Sequence, residues 1–221
     1  MFEPIIFGGK TFGSPDTLSP KSIGIALNNL SEESDEFPLW QPWVFSGMPT
    51  AEAFTNLSKL YFPEYLFKIF FIPGMIIQLL HLLFAGIGGF LLLKHFKCSE
   101  WAAGLGATAF MVTPYMVTMV VFGHGSQMMT SAYIPWILWL TVRLWEYPNL
   151  WNSGWLAILI GFQLQRAHAQ IAYYTWLLIG AYSLLQLIHG FRDFDKRLIL
   201  GKGLGLFSIA CVIGVGISLL I

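Results

Sequence analysis

Two strongly apolar runs, 155–162 and 171–188, flank a polar island made of Gln163, Gln165, Arg166, His168 and Gln170. From Trp155 to Ile188 the chain covers 34 residues. As one helix that stretch would extend about 51 Å, far beyond a bilayer core of about 30 Å. The segment must turn, and the island marks the turn. Ionisable groups at the mouth of a transmembrane bundle are costly unless something pairs with them or uses them. The pattern therefore points to a polyspanning membrane protein with a working external face.

Composition agrees. Hydrophobic residues make up 56% of the chain, charged residues 11%, and mean hydropathy is +0.64. A soluble domain carries about 25% charge, so this chain belongs in lipid. Zero net charge argues against a nucleic-acid partner. Cys98 and Cys211 fall in or beside apolar runs and form no zinc pattern.

The fold class expected is all-α: a polytopic integral membrane helix bundle of about six spans, preceded by a long extracytoplasmic loop segment. The spans fall at about 72–93, 101–122, 128–145, 154–165, 169–189 and 203–221. Residues 1–65 form the loop region. Turn formers punctuate it at Gly8-Gly9, Ser14-Pro15-Asp16 and Ser19-Pro20, and it carries an acidic run, Glu32, Glu33, Asp35 and Glu36. Tyr61 to Phe71, aromatic with Glu64 and Lys68, reads as a segment lying along the membrane surface. Residues 66–221 form the bundle, expected to be incomplete and to continue past 221, with an upstream span expected before Met1.

Basic residues orient the bundle. Under this topology the short loops place Lys94, Lys97, Arg143, Arg192, Lys196, Arg197 and Lys202 on one side and Arg166 alone on the other. The basic side is then cytoplasmic. Glycines within the runs (Gly86, Gly88 and Gly89; Gly104 and Gly106; Gly201, Gly203 and Gly205) are expected to let helices approach closely.

The outer face then collects Asp16, Trp40, Glu52, His124, Gln127, Arg166, His168 and Gln170. Glycines flanking His124 in Gly123-His-Gly125 make a tight turn that leaves an imidazole accessible or serves only the bend. Arg166 has the planar fork that matches phosphate or carboxylate oxygens; it would also serve as an interfacial anchor or pair with Glu52. Trp40 and Trp43, set among prolines beside a span, would pack at the interface. His81, inside a span, is expected to satisfy a helix neighbour. No His-Glu-x-x-His or paired-cysteine metal motif occurs, although an outer-loop carboxylate would still hold a divalent cation or act as a general base.

One ordered set of motifs runs across roughly residues 5–190: Phe7-Gly-Gly-Lys10, Ser14-Pro-Asp16, Pro38-Leu-Trp40-Gln-Pro42, Phe45-Ser-Gly47-Met-Pro49, Gly123-His-Gly125 and His168-Ala-Gln170-Ile-Ala-Tyr173-Tyr174. In this set the chain resembles the YfhO-type bacterial membrane proteins, which are similar to glycosyltransferases of the GT-C architecture. The resemblance implies a multi-pass protein of the bacterial cell membrane that transfers a sugar from a polyprenyl-phosphate donor on the extracytoplasmic side. It also implies that Asp16, in the first external loop, activates the acceptor or binds a metal. His124, Gln127, Arg166, His168, Gln170 and Trp40 would then hold the phosphate or the substrate. A transporter or flippase of a lipid-linked solute, and a non-catalytic membrane scaffold, are the alternatives.

Overall fold

A computed structural model describes residues 3, 8, 10, 12, 15–34, 36, 38–43, 46–50, 61–166, 168–191 and 197–219, without the side chains of 15–21, 191, 197 and 198. Helix dominates. The first element, α1 (Pro15–Ser34), lies inside the region expected to be a loop. Its Ser-Pro-Asp opening reads as a turn in sequence, yet proline is equally at home in the first turn of a helix, where its missing N–H costs nothing. The acidic Glu32 and Glu33 fall in its last turn, and Ser34 Oγ closes the end by donating to Leu30 O at 2.7 Å. A two-stranded antiparallel hairpin follows, β1 (Trp40–Gln41) pairing with β2 (Met48–Pro49). Then comes α2 (Phe62–Ile69), whose Phe62, Leu66 and Ile69 are exposed, as befits a helix lying on an interface.

Among the described residues four helical stretches are long and apolar enough to cross a bilayer: Gly74–His95, Glu100–Val121, Ala169–Gly190 and Ile199–Leu219. The first is α3 (Gly74–His95). The second is α4 (Glu100–Met111) followed by α5 (Pro114–Val121), where Thr113 accepts the Met116 N–H and Pro114 restarts the helix. The third and fourth belong to α9 (Ala169–Phe191) and α10 (Arg197–Leu219). At most 33% of any of these apolar windows is buried within the bundle, so their outer faces need a non-aqueous surrounding.

The two further spans expected at 128–145 and 154–165 do not meet that length. The first is divided into α6 (Gly125–Ala132) and α7 (Ile134–Glu146), because Pro135 has no N–H to continue α6 through Tyr133. The second is α8 (Leu150–Gln165), a helix of 16 residues capped by Asn149, whose Oδ1 accepts the Asn152 N–H at 2.9 Å.

Helix α7 is the hub. Ile137, Leu140 and Leu144 pack with Leu156, Ala157 and Ile160 of α8, Ile179 of α9, and Leu206 and Ala210 of α10. A second core joins Leu82 and Ala85 of α3 to Met116 and Val120 of α5 and Met128 and Ala132 of α6. The tightest crossing is α8 on α10. A methyl added at Gly214 would stand 2.6 Å from Ile160 Cγ2 and 3.0 Å from Ala157 O, and one added at Gly161 would stand 2.6 Å from Ile217 Cγ2. Ser153 Oγ locks the same crossing by donating to Leu206 O at 2.8 Å. The bundle has two chemically different ends. The last turns of α3, α7 and α9 line one cavity, whereas Tyr61, Tyr133 and Arg166 meet at the other end. The 23 residues of α9 separate the ends by about 34 Å.

Candidate functional site

Arg166 closes α8, its N–H donating to Gln163 O at 3.2 Å. Its side chain turns inward and is only 8% exposed. The guanidinium lies 4.6 Å from the centroid of the Tyr61 ring, a cation–π contact. Its Nε has no hydrogen-bond partner, and no carboxylate among the described residues comes within ion-pairing distance. Glu64, whose charge is felt at Arg166, is bonded instead to Lys68 at 3.3 Å. Burial pulls the Arg166 pKa down, and the neighbouring Tyr61, Tyr133 and Glu64 pull it back up. Glu52, the acid expected as a partner, lies outside the described residues.

Beneath Arg166 runs a chain of hydrogen bonds. His81 Nδ1 donates to Ile77 O at 2.7 Å, because a carbonyl can only accept. Nε2 of the neutral ring then accepts from the Tyr61 hydroxyl at 2.8 Å, and the Tyr61 oxygen accepts from Tyr133. Burial is the main reason that the Tyr61 pKa is pushed up to about 12, so the phenol keeps the proton it donates to His81. His81 thus satisfies its own helix, and it does more than that: it anchors the aromatic shelf on which Arg166 rests.

Two glutamines of the polar island, Gln163 and Gln165, are structural ties between helices. Gln163, fully buried, donates to Thr130 O at 3.1 Å and Thr175 Oγ1 at 2.8 Å, while its Oε1 stays unpartnered. Gln165 accepts the Phe62 N–H at 3.1 Å and donates to Ile217 O at 3.0 Å. Gln170 points away on the exposed side and donates to the Tyr174 hydroxyl at 2.8 Å.

His168, half-buried, leaves Nδ1 unpartnered. Burial lowers its pKa most, and the nearby charge of His124 lowers it further, so the structure does bring the two expected histidines into mutual range. His124 is exposed at the start of α6. The adjacent Gly125 is held against the side-chain amide of Gln78, whose Oε1 is also buried and unpartnered. Gln127 is half-buried one turn along α6, where its backbone carbonyl accepts from Ser131 Oγ at 2.9 Å.

Trp40 stands apart. It lies exposed on the hairpin, its indole covering Gly47, and no hydrogen bond or ring contact among the described residues links it to Arg166. A side chain at Gly47 would collide with that indole, and the φ of 111° there suits glycine alone. The Asp16 side chain lies outside the described residues, as does the rest of the loop around Glu52. Among the described residues no group of three His, Cys, Asp or Glu side chains gathers that could hold a metal ion.

The site therefore contains four residues beyond those expected: Tyr61, Gln78, His81 and Tyr133. Gln78 and His81 carried a usable signal, since two polar residues three apart in an apolar span share one helix face. Compared with known proteins, the chain matches no family model, no curated protein and no solved structure.

Proposed function

We propose that the Arg166 end of the bundle receives the phosphate of a lipid-linked sugar, and that the chain belongs to a membrane glycosyltransferase-like enzyme working on the extracytoplasmic face of the bacterial cell membrane. One observation carries this reading: Arg166 is buried, cationic and without a carboxylate partner among the described residues. Leaving an arginine so placed uncompensated costs several kcal/mol, which a phosphate bound bidentately would offset. The unpartnered Nδ1 of His168 adds a polar group at the same end. A polyprenyl tail would lie against the exposed apolar faces of α9 and α10. Asp16 as the acceptor base, and sugar transfer as the reaction, rest on the resemblance to YfhO-type proteins. In this reading α6–α7 and α8 complete a six-span topology, and the end bearing Lys94 and Arg143 is cytoplasmic.

The test uses the full-length protein in nanodiscs, with polyprenyl phosphate binding followed by native mass spectrometry and sugar transfer by product analysis. Arg166→Ala should lose both. Asp16→Asn should keep donor binding and lose transfer. Undiminished donor binding by Arg166→Ala would overturn the phosphate assignment. Movement of a lipid-linked solute across proteoliposomes with no covalent product would make the protein a transporter instead.

A further inference from the structure

At the end of the bundle opposite Arg166 lies a cavity of about 940 Å³, lined by Lys94, Lys97 and Arg143 together with His95, His189 and Glu146. Among the described residues the lining holds three basic side chains and one carboxylate. That carboxylate is already engaged, with Glu146 Oε2 2.9 Å from His95 Nε2. Lys94 reaches Glu100 only at 3.7 Å, on a side chain 82% exposed, so water screens that pair. Arg143 meets no carboxylate among the described residues; its guanidinium lies 5.0 Å from the centroid of the Trp139 ring. Part of this charge answers the carbonyl ends of α3, α7 and α9, but helix termini need no hollow of this size.

Arg143 and Trp139 also line a second, apolar cavity of about 370 Å³, so the two spaces adjoin. Its walls include Phe84, Leu140 and Leu159, and its rim carries Trp151 and Trp155, both exposed to the surroundings of the bundle. A cationic chamber at the helix ends, joined to an apolar slot that opens sideways, matches the two halves of one molecule. Free phosphate would fill only the first half. A neutral lipid would leave the cations unanswered. Tryptophans at the rim suit the level where headgroups give way to acyl chains.

We infer that this chain binds an anionic phospholipid at the end opposite Arg166, with the phosphate among Lys94, Lys97 and Arg143 and one acyl chain past Trp139 into the slot beneath. The site is independent of the Arg166 site, about 34 Å away along α9. Because its walls come from α3, α7 and α9, the bound lipid bridges three helices and stabilises their packing.

The experiment is lipid titration of the delipidated full-length protein, read by native mass spectrometry and thermal unfolding. The probes are phosphatidylglycerol, phosphatidylcholine and inorganic phosphate. Phosphatidylglycerol should bind and raise the unfolding temperature, and the other two should do neither at equal concentration. Each of Lys97→Asn and Arg143→Gln should weaken phosphatidylglycerol binding about tenfold. Lys97 is exposed, and asparagine tolerates the left-handed backbone there (φ of 62°), so that variant tests the charge without threatening the fold. Arg166→Ala should leave this binding unchanged. Equal binding of phosphatidylcholine, or wild-type affinity in both cation variants, would overturn the charge recognition. Protection by inorganic phosphate equal to that by phosphatidylglycerol would leave an anion site and refute the lipid.

Discussion

The α8–α10 crossing gives the sharpest test of how this bundle is held. Consider Gly214→Ala beside Gly216→Ala, two substitutions on one helix. At Gly214 the new methyl meets Ile160 Cγ2 at 2.6 Å and the Ala157 carbonyl at 3.0 Å; at Gly216 it meets nothing within 4 Å. Carbon atoms in contact rest about 3.5–4.0 Å apart, so the helices must part by roughly 1 Å at Gly214. Overpacking of that kind costs about 1–3 kcal/mol. Both variants gain the same alanine helix propensity, which cancels in the comparison. The difference between them is therefore the clash itself. Reversible unfolding of the purified protein in mixed micelles, titrated with denaturing detergent, should put Gly214→Ala about 1–3 kcal/mol below Gly216→Ala. Gly161→Ala, facing the same contact, should resemble Gly214→Ala. If Gly214→Ala and Gly216→Ala agree within about 0.5 kcal/mol, the close approach does not exist.

Two further perturbations probe the polar interior. Tyr61→Phe keeps the ring under Arg166 but removes the hydroxyl between His81 and Tyr133, so thermal unfolding should show a loss of about 1–3 kcal/mol; an unchanged transition would mean the chain of hydrogen bonds is absent. Gln165→Leu cuts the tie from Phe62 to Ile217 and should free α2, seen as faster tryptic cleavage at Lys68; an unchanged cleavage rate would show that α2 is held by other contacts.

Much of the membrane architecture was legible in the chain because apolar length is a local property. The runs behind α3, α4–α5, α9 and α10 announced themselves, and the four candidate crossings sit within a few residues of where hydropathy put them. What hydropathy hid was punctuation. Pro135 stood in plain view, but the apolar continuity around it disguised the end of α6 at Ala132. Asp16 and its neighbours carried turn chemistry that serves a helix start equally well.

The polar island shows a different limit. Gln163 and Gln165 marked a turn, but the helices they tie together were hidden, because their partners at Thr130, Thr175, Phe62 and Ile217 are remote in sequence. Helix crossings were hidden in the same way. Gly88, expected to admit a neighbour, seats Trp136, with an added methyl only 2.3 Å from that ring, while Gly104, Gly201 and Gly205 face open space. The tightest glycine pair, Gly161 with Gly214, had no motif to mark it. Arg166 and His168 were visible from the start; the aromatic shelf under Arg166 was not, since Tyr61 and Tyr133 meet only through the fold.

Gln165 also dictates an order of assembly. One amide grips a helix made before the first apolar run and, with its other end, the final turn of the last helix described. During synthesis the early helix can rest on the membrane surface, but its permanent dock is not finished until α10 has entered the lipid. The bundle closes like a clasp, with α10 and α2 fastened through one side chain.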